Sequence, residues 1–376
     1  MKKIKILFFI DSLEHGGIQS MMKNYFEKID RNLFEIEVLS LEKADTSGYY
    51  NWLISEGFKV HLLEGINLNS IIGQLLYMKK LKDFFIYNND FDILHMNGSS
   101  KNFLLLKIAK KNKIPVRIVH SHNTRYQTTN KLQISIGQIL TKPLLKYSNA
   151  YFAASEIAAK WMFNDTKDVF VLPNAVDVER FKFDGELREK LRKEMNLTNK
   201  FVIGNIGRFV HQKNHKKILD VFNRLLQTKK NAYLILAGNG ELQDDMKRYV
   251  EYLGIESNVK FLGFRKDINN LLQVMDCYIM PSHYEGLPVV LSEVQATGLS
   301  GVVSDVITKE ISINANVKFL DLNNSNDIWA QQIKNQQINN IERKAMGEFF
   351  EKSYFNIDNS IALLEEQYKS LVNDYK

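Results

Sequence analysis

Short apolar runs alternate with longer amphipathic stretches along the whole chain, and few folds accept that alternation. The apolar runs read as strands at Ile4–Ile10, Phe34–Leu41, Phe58–Leu63, Phe91–His95, Val116–His120, Ala150–Ala154 and Asp168–Leu172. A second series follows at Phe201–Ile206, Ala232–Ala237, Val259–Leu262, Cys277–Met280, Gly301–Ser304 and Val317–Leu320. Helical patterns lie between them, among them Ile18–Ile29, Ile71–Tyr87, Lys216–Leu226 and Glu241–Leu253. Strands alternating with helices make parallel sheets covered on both faces, an α/β architecture. Right-handed crossovers bring every strand's carboxyl end to one edge of its sheet, where such folds bind ligands.

The two series are separated by Leu172-Pro173-Asn174-Ala175-Val176-Asp177 and the charged segment Asp184–Lys193. Pro and Asn halt the last strand of the first series. That places the domain switch near residue 180, with an N-terminal domain over 1–180 and a C-terminal one over 181–356. A length of 376 residues suits two domains, each with its own core. The two doubly wound sheets would face each other across a cleft lined by strand carboxyl ends. The last stretch, Ile357–Lys376, is amphipathic with no strand after it, and is expected to cross back onto the first domain.

Composition removes several classes. The single cysteine, Cys277, excludes a disulfide framework and a thiolate metal cluster, and its place in an apolar run marks an inert core thiol. No run of about 18 apolar residues is present to span a membrane. Met1-Lys2-Lys3 imitates a signal peptide, but the apolar run between Lys5 and Asp11 falls short of the roughly 7–15 residues of a signal core. A cytoplasmic protein is expected. The net charge of +7 suits anionic partners: a phosphate ligand, a membrane surface or nucleic acid. The lysines are scattered, and there is no helix-turn-helix, zinc or stacking-aromatic signature, so nucleic acid is not expected as a partner.

Three motifs carry chemistry. Asp11-Ser12-Leu13-Glu14-His15-Gly16-Gly17-Ile18 follows the first strand and opens a helix. Paired glycines let a ligand approach the backbone, and a helix start offers unpaired N–H groups to an anion. The fingerprint G-x-G-x-x-G is absent, and so is the Walker pattern. The second motif is Gly204-Asn205-Ile206-Gly207-Arg208 with Lys213 before the next helix. A guanidinium fork and an ammonium point charge converging at a strand end suit a diphosphate. The third is Pro281-Ser282-His283-Tyr284-Glu285-Gly286-Leu287-Pro288-Val289-Val290-Leu291-Ser292-Glu293. Here Pro288 suits a first helical turn, the amides of Gly286, Leu287 and Val289 suit an anion, and Glu285 suits the hydroxyls of a polyol. Glu293, one turn further in, suits a second diol such as a ribose. As lone features, solvated cations and a helix-cap acid would account for parts of this pattern but not for the whole loop.

Together, Gly16-Gly17, Leu172–Asp177, Gly207-Arg208 with Lys213, Gly238-x-Gly240 and Glu285-x7-Glu293 resemble a retaining glycosyltransferase of family 4 with the GT-B fold. The resemblance covers almost the full chain. His120-Ser121-His122-Asn123 and Glu293-Val-Gln-Ala-Thr-Gly298 further resemble bacterial capsular and exopolysaccharide glycosyltransferases. Ser300-Gly301 departs from that family's usual Pro and small residue, which implies a local backbone difference. The resemblance implies a nucleotide-sugar donor, UDP-linked by family preference, held mainly by the second domain. Arg208 and Lys213 would bind its diphosphate, and Glu285, with the amides of Gly286 and Leu287 and with Pro288, its sugar. Glu293 would bind the ribose. Gly16, Gly17, Asn174, Gly207 and Gly238 would lie along the donor, and Arg265 near its base. One of His120 and His122 would reach the sugar close to the reacting carbon; the family pattern Thr-x-His aligns with His120-x-His122 and favours His122.

The resemblance also implies front-face substitution with retention, in which a donor phosphate oxygen takes the acceptor's proton, since no carboxylate is marked as a nucleophile. Asp90-Phe91-Asp92 enters a strand rather than leaving one, so it sits away from the ligand edge and no catalytic metal or other cofactor is expected. The acceptor, a saccharide or a polyprenol-linked one, is expected in the first domain, with loops near Asn97–Lys101 and Asn123–Asn130, including Arg125 and Tyr126, as candidates. Ile71–Tyr87 and Leu132–Lys146 combine apolar residues with lysines, as either core-facing helices or elements for peripheral contact with an anionic membrane. A catalytically silent nucleotide-sugar-binding sensor or partner subunit would keep the same residues, and turnover on an acceptor separates the two readings.

Overall fold

The computed structural model describes residues 2–14, 16–42, 48–124, 130–164, 168–336 and 338–375. They fall into two compact units, Met1–Asn174 with Ser360–Lys376, and Ala175–Asn359. Unit 1 holds seven parallel strands: β1 (Ile4–Ser12), β2 (Phe34–Glu42), β3 (Lys59–Leu62), β4 (Ile93–Asn97), β5 (Val116–Ser121), β6 (Ala150–Ala153) and β7 (Val169–Val171). Their order is β3-β2-β1-β4-β5-β6-β7. The central strands are apolar without alternation because both faces are covered, as in β1, where Ile6 to Ile10 are all buried. On one face Leu7, Phe9, Leu94, Met96 and Val119 pack against the helices Ile71–Tyr87, Phe103–Lys111 and Lys131–Tyr147. On the other, Phe8, His95 and Phe152 meet Phe26 of the helix Gly17–Lys28 and Tyr368 of the C-terminal helix Ile357–Tyr375.

Unit 2 holds six parallel strands: β8 (Phe201–Ile206), β9 (Ala232–Ala237), β10 (Val259–Gly263), β11 (Cys277–Met280), β12 (Gly301–Ser304) and β13 (Val317–Leu320), in the order β10-β9-β8-β11-β12-β13. In each sheet the strand order reverses once, between β1 and β4 and between β8 and β11. Loops leaving the two strands at such a point diverge to opposite faces and open a crevice.

The boundary falls at Asn174, earlier than the expected residue 180. The reason is local: Val176 N donates to Phe355 O (2.9 Å) and Ile357 N to Val176 O (2.9 Å), so the chain has joined unit 2 by residue 175. Strand β4 also starts two residues later than the apolar run. Asp92 precedes it, and its carboxylate accepts from Lys5 N (2.9 Å) while Asp90 pairs with Lys5 Nζ (2.8 Å). Both acids therefore stand at the amino ends of β1 and β4, opposite the ligand edge. Cys277 is fully buried, and burial pushes its thiol far up.

Candidate functional site

At the reversal point of unit 2, β8 ends in Gly207-Arg208 and a short turn, His211–Lys213, leads into the helix His215–Thr228. Beside it β11 ends in the loop 281–288, which enters the helix Val289–Ala296. These two loops are tied together. Lys213 Nζ pairs with Glu285 Oε1 at 2.7 Å, and Gln212 Nε2 donates to Glu285 Oε2 (3.3 Å) and to Tyr284 O (2.9 Å). His283 N donates to Gln212 O (2.8 Å), Asn214 Nδ2 to Pro281 O (3.0 Å), and the rings of His211 and His283 stack with centroids 4.6 Å apart. Glu285 is buried, a state a carboxylate tolerates only with such donors. The third neighbouring loop closes on this from β9. Gly238 has φ +138°, and a Cβ there would lie 2.0 Å from Gly207 O, so only glycine lets the two backbones touch. A Cβ on Gly207 would lie 3.4–3.5 Å from the Lys213 side chain, which therefore runs along that glycine. Arg208, one residue on, is exposed.

Pro288 is the helix cap with φ −72° and ψ 114°, one residue short of the first helical turn where the sequence placed it. Glu293 lies in the second turn and is partly buried. Burial raises its carboxyl to about 7, against the opposing charge of Arg180. Tyr278 of β11 is the residue the motif reading missed. It is fully buried, its hydroxyl donates to Ile206 O (3.1 Å) and accepts from Ile206 N (3.3 Å), and burial with the charges of Glu285 and Glu293 keeps it protonated. Its one local signal was a hydroxyl-bearing ring inside the apolar strand Cys277–Met280. Gln212, equally missed, sat in plain view beside Lys213. Arg265 forms a two-point pair with Asp267, at 2.7 and 2.6 Å, outside the Lys213–Glu285 cluster.

In unit 1, Gly16 caps the helix Gly17–Lys28 in extended geometry (φ −169°), and Gly17 is exposed. His15, Arg125 and Tyr126 lie outside the described residues, as does most of the loop 123–130. Asn174, the last residue of the unit's first segment, is buried. At the end of β5, the rings of His120 and His122 lie with centroids 4.0 Å apart, tilted 35° to each other. His122 Nε2 is 2.8 Å from Asn97 Oδ1, at the end of β4, and this bond makes Nε2 the protonated nitrogen and Nδ1 the acceptor. His120 Nδ1 is 3.0 Å from His95 Nε2, and His95 Nδ1 is 2.6 Å from Tyr368 Oη. Burial lowers all three imidazoles, His95 and His122 to about 3 and His120 well below its ordinary value, so each is neutral. His95 and Tyr368 were not singled out in the sequence, because 273 residues separate the partners.

The family models now decide the matter. Residues 15–180 match Glycosyltransferase Family 4, and residues 187–352 match Glycosyl transferases group 1. The chain belongs to the family 4 glycosyltransferases. EpsF of Bacillus subtilis (strain 168) is 27% identical over 88% of this chain and 86% of its own. The UDP-Gal:alpha-D-GlcNAc-diphosphoundecaprenol alpha-1,3-galactosyltransferase of Escherichia coli is 27% identical over 77% of this chain and 76% of its own. Among solved structures, Anabaena HepE, crystallised with UDP and glucose, superposes with a TM-score of 0.79 at 19% identity, covering 98% of this chain and all of that one. These neighbours establish the GT-B fold. The glycosyltransferase has its Arg208–Lys213 and Glu285–Glu293 motifs at the crevice of unit 2, and its histidines at the ends of β4 and β5 in unit 1.

Proposed function

We propose that this glycosyltransferase moves a sugar, with retention, from a UDP-sugar to a saccharide or polyprenol-linked acceptor in surface-polysaccharide synthesis. The observation that carries the reading is the Lys213–Glu285 contact between the loops after β8 and β11. It sets a cation for the leaving diphosphate directly against a carboxylate for the sugar, so the bond between those two groups is the one the site brackets. A UDP-linked donor and a diphosphoundecaprenol acceptor are those of the Escherichia coli relative, and they support this reading. With such an acceptor the protein works from the cytoplasm at the membrane's inner face.

In the reaction the anomeric carbon's bond to the phosphate oxygen breaks while the acceptor oxygen bonds to the same face of that carbon. The acceptor's proton passes to a phosphate oxygen of the leaving group. Negative charge grows on the diphosphate, and Lys213 with Arg208, at the positive start of the following helix, would stabilise it. Glu285 would accept from sugar hydroxyls with the amides of Gly286 and Leu287 beside it, while Glu293 would accept from the ribose. Gly207 and Gly238 would let the diphosphate approach the backbone. His122, neutral, would contribute Nδ1 as an acceptor to the sugar. We propose that these two cations take the part a metal ion would otherwise play.

Replacing Lys213 by Ala should leave a folded protein whose transfer, assayed in chelator, falls roughly a hundredfold or more, the equivalent of about 2.7–4 kcal/mol of barrier. Near-normal turnover in that variant removes the assignment. Donor binding without turnover on any acceptor, in the unsubstituted protein, would make it a sensor instead.

A further inference from the structure

The two groups that the proposed chemistry needs at opposite ends of one bond are joined to each other in this structure. Lys213 Nζ stands 2.7 Å from Glu285 Oε1, while the reaction asks the ammonium for the diphosphate and the carboxylate for sugar hydroxyls. A doubly negative diphosphate draws the ammonium's charge toward itself and repels the carboxylate beside it. Glu285 is 8% exposed, and a buried carboxylate whose ion partner is drawn away turns, moves or takes up a proton. A site that brackets a sugar–phosphate bond therefore needs a further donor on this carboxylate, one that the diphosphate does not attract.

Gln212 is built for that part. Residues 212 and 213 are consecutive, yet they address opposite oxygens of one carboxylate: Gln212 Nε2 donates to Oε2 (3.3 Å) and Lys213 Nζ to Oε1. They do so from the short turn His211–Lys213, closed by Asn214 in the left-handed region (φ 54°). The second hydrogen of Nε2 goes to Tyr284 O at 2.9 Å. A carbonyl only accepts, so this contact turns the amide nitrogen, rather than its oxygen, toward Glu285. The main chain of Gln212 is held as well, its O accepting from His283 N (2.8 Å). On either side, Asn214 Nδ2 donates to Pro281 O (3.0 Å), and the rings of His211 and His283 stack 16° from parallel. Side chain and main chain of residue 212 are thus fixed to the loop whose carboxylate it holds. An amide carries no net charge, so the diphosphate has no comparable pull on it.

Resting on the donor reading above, we propose that Gln212 is a positioning residue for Glu285. It keeps Oε2 anchored when Lys213 turns to the diphosphate, and it leaves the lone pairs of Oε1 to the sugar hydroxyls. Lys213 holds the phosphate end of the breaking bond, and Gln212 holds the group that grips the sugar end. Removing the amide should therefore be felt by a UDP-sugar and not by UDP alone, whose phosphates Lys213 still meets.

Calorimetric titration with UDP, UDP-glucose and UDP-galactose separates the two effects. In Gln212→Ala, UDP should bind within about twofold of the unsubstituted protein, while the UDP-sugar that the unsubstituted protein binds better should lose roughly tenfold or more in affinity, the range for a hydrogen bond to a charged group. Gln212→Glu keeps the shape and replaces the donor by an acceptor, so it should lose at least as much. In Glu285→Gln the further change Gln212→Ala should cost almost nothing more, because the two residues act as one unit. Equal losses for UDP and UDP-sugar, unchanged binding of both, or losses that multiply in the double variant overturn the proposal. Circular dichroism and retained UDP binding keep a misfolded variant from counting. Absence of UDP and UDP-sugar binding in the unsubstituted protein would instead remove the donor reading, and the part of Gln212 with it.

Discussion

Burial holds the Glu293 carboxyl protonated up to about 7, where an exposed glutamate ionises near 4.5. A ribose diol is best held by the ionised form, which accepts at both oxygens. Affinity for UDP should therefore rise as the pH goes from about 6 to about 8. Glu293→Gln should bind more weakly at about pH 8 and lose that slope. Isothermal titration at the two pH values reads both effects, and an unchanged slope in the variant would remove Glu293 from the donor site. Stability runs the other way. Between 4.5 and about 7 the folded protein keeps a proton that the unfolded chain has shed, so this residue's contribution falls as pH rises through that window. Tighter binding and lower stability with rising pH would together identify one group acting in both.

The ends of β4 and β5 carry a second titration, of opposite sign. His95 and His122 are held down to about 3, and burial holds His120 well below its ordinary 6.5 too. Below 6.5 the unfolded chain takes up protons that these buried rings refuse, so stability present near neutrality is lost as pH falls toward 3. Each ring contributes a slope of about 1.4 kcal/mol per pH unit while it lags. Denaturant melts of unit 1 should show this steep acid loss, and His95→Phe, among Phe8, Phe152 and Tyr368, should flatten it even if it lowers stability at pH 7. A variant with the parent slope would place the acid sensitivity elsewhere. The same elements show what could be read from residue order. Buried parallel strands are apolar throughout, so β8, β9 and β11 stand out between the turns that bound them. Strand ends do not, because Asn97 and Ser121 read as turn residues although each pairs within the sheet's edge. Arg208, Lys213, Glu285 and Glu293 were legible because two loops hold them at fixed spacing. Gln212, Tyr278 and the His120–His95–Tyr368 chain were not, since each becomes meaningful through contacts made across the fold. Arg343 is the extreme case: fully inside unit 2, its guanidinium donates to the carbonyls of Leu272, Met275 and Thr297, and nothing local announces it.

At the scale of the molecule, the chain completes unit 1 only after it has built all of unit 2. The helix Ile357–Tyr375 returns Leu364, Tyr368, Leu371 and Val372 to unit 1 as one buried stripe. Polar contacts fix its register: Glu365 Oε1 accepts from Asp30 N (2.8 Å), Tyr368 meets His95, and Tyr375 Oη donates to Asn149 O (2.8 Å). Removing the segment exposes the Phe8–His95–Phe152 face and forfeits about 1.5–3 kcal/mol for each of the large apolar side chains withdrawn. That loss is comparable with the whole margin of an ordinary domain, about 5–15 kcal/mol. A chain ended at Asn359 should therefore lose hydrogen-exchange protection in β1, β4 and β5 while β8, β9 and β11 keep theirs, because no residue after 359 belongs to unit 2. It should still bind UDP if Arg208, Lys213, Glu285 and Glu293 hold the donor, and should no longer transfer sugar, since the strand ends that carry Asn97 and His122 would have lost their frame. Full protection of β1, β4 and β5 in the shortened chain would show that unit 1 folds without its last helix, and retained transfer would show that the histidine chain through Tyr368 is dispensable to the reaction.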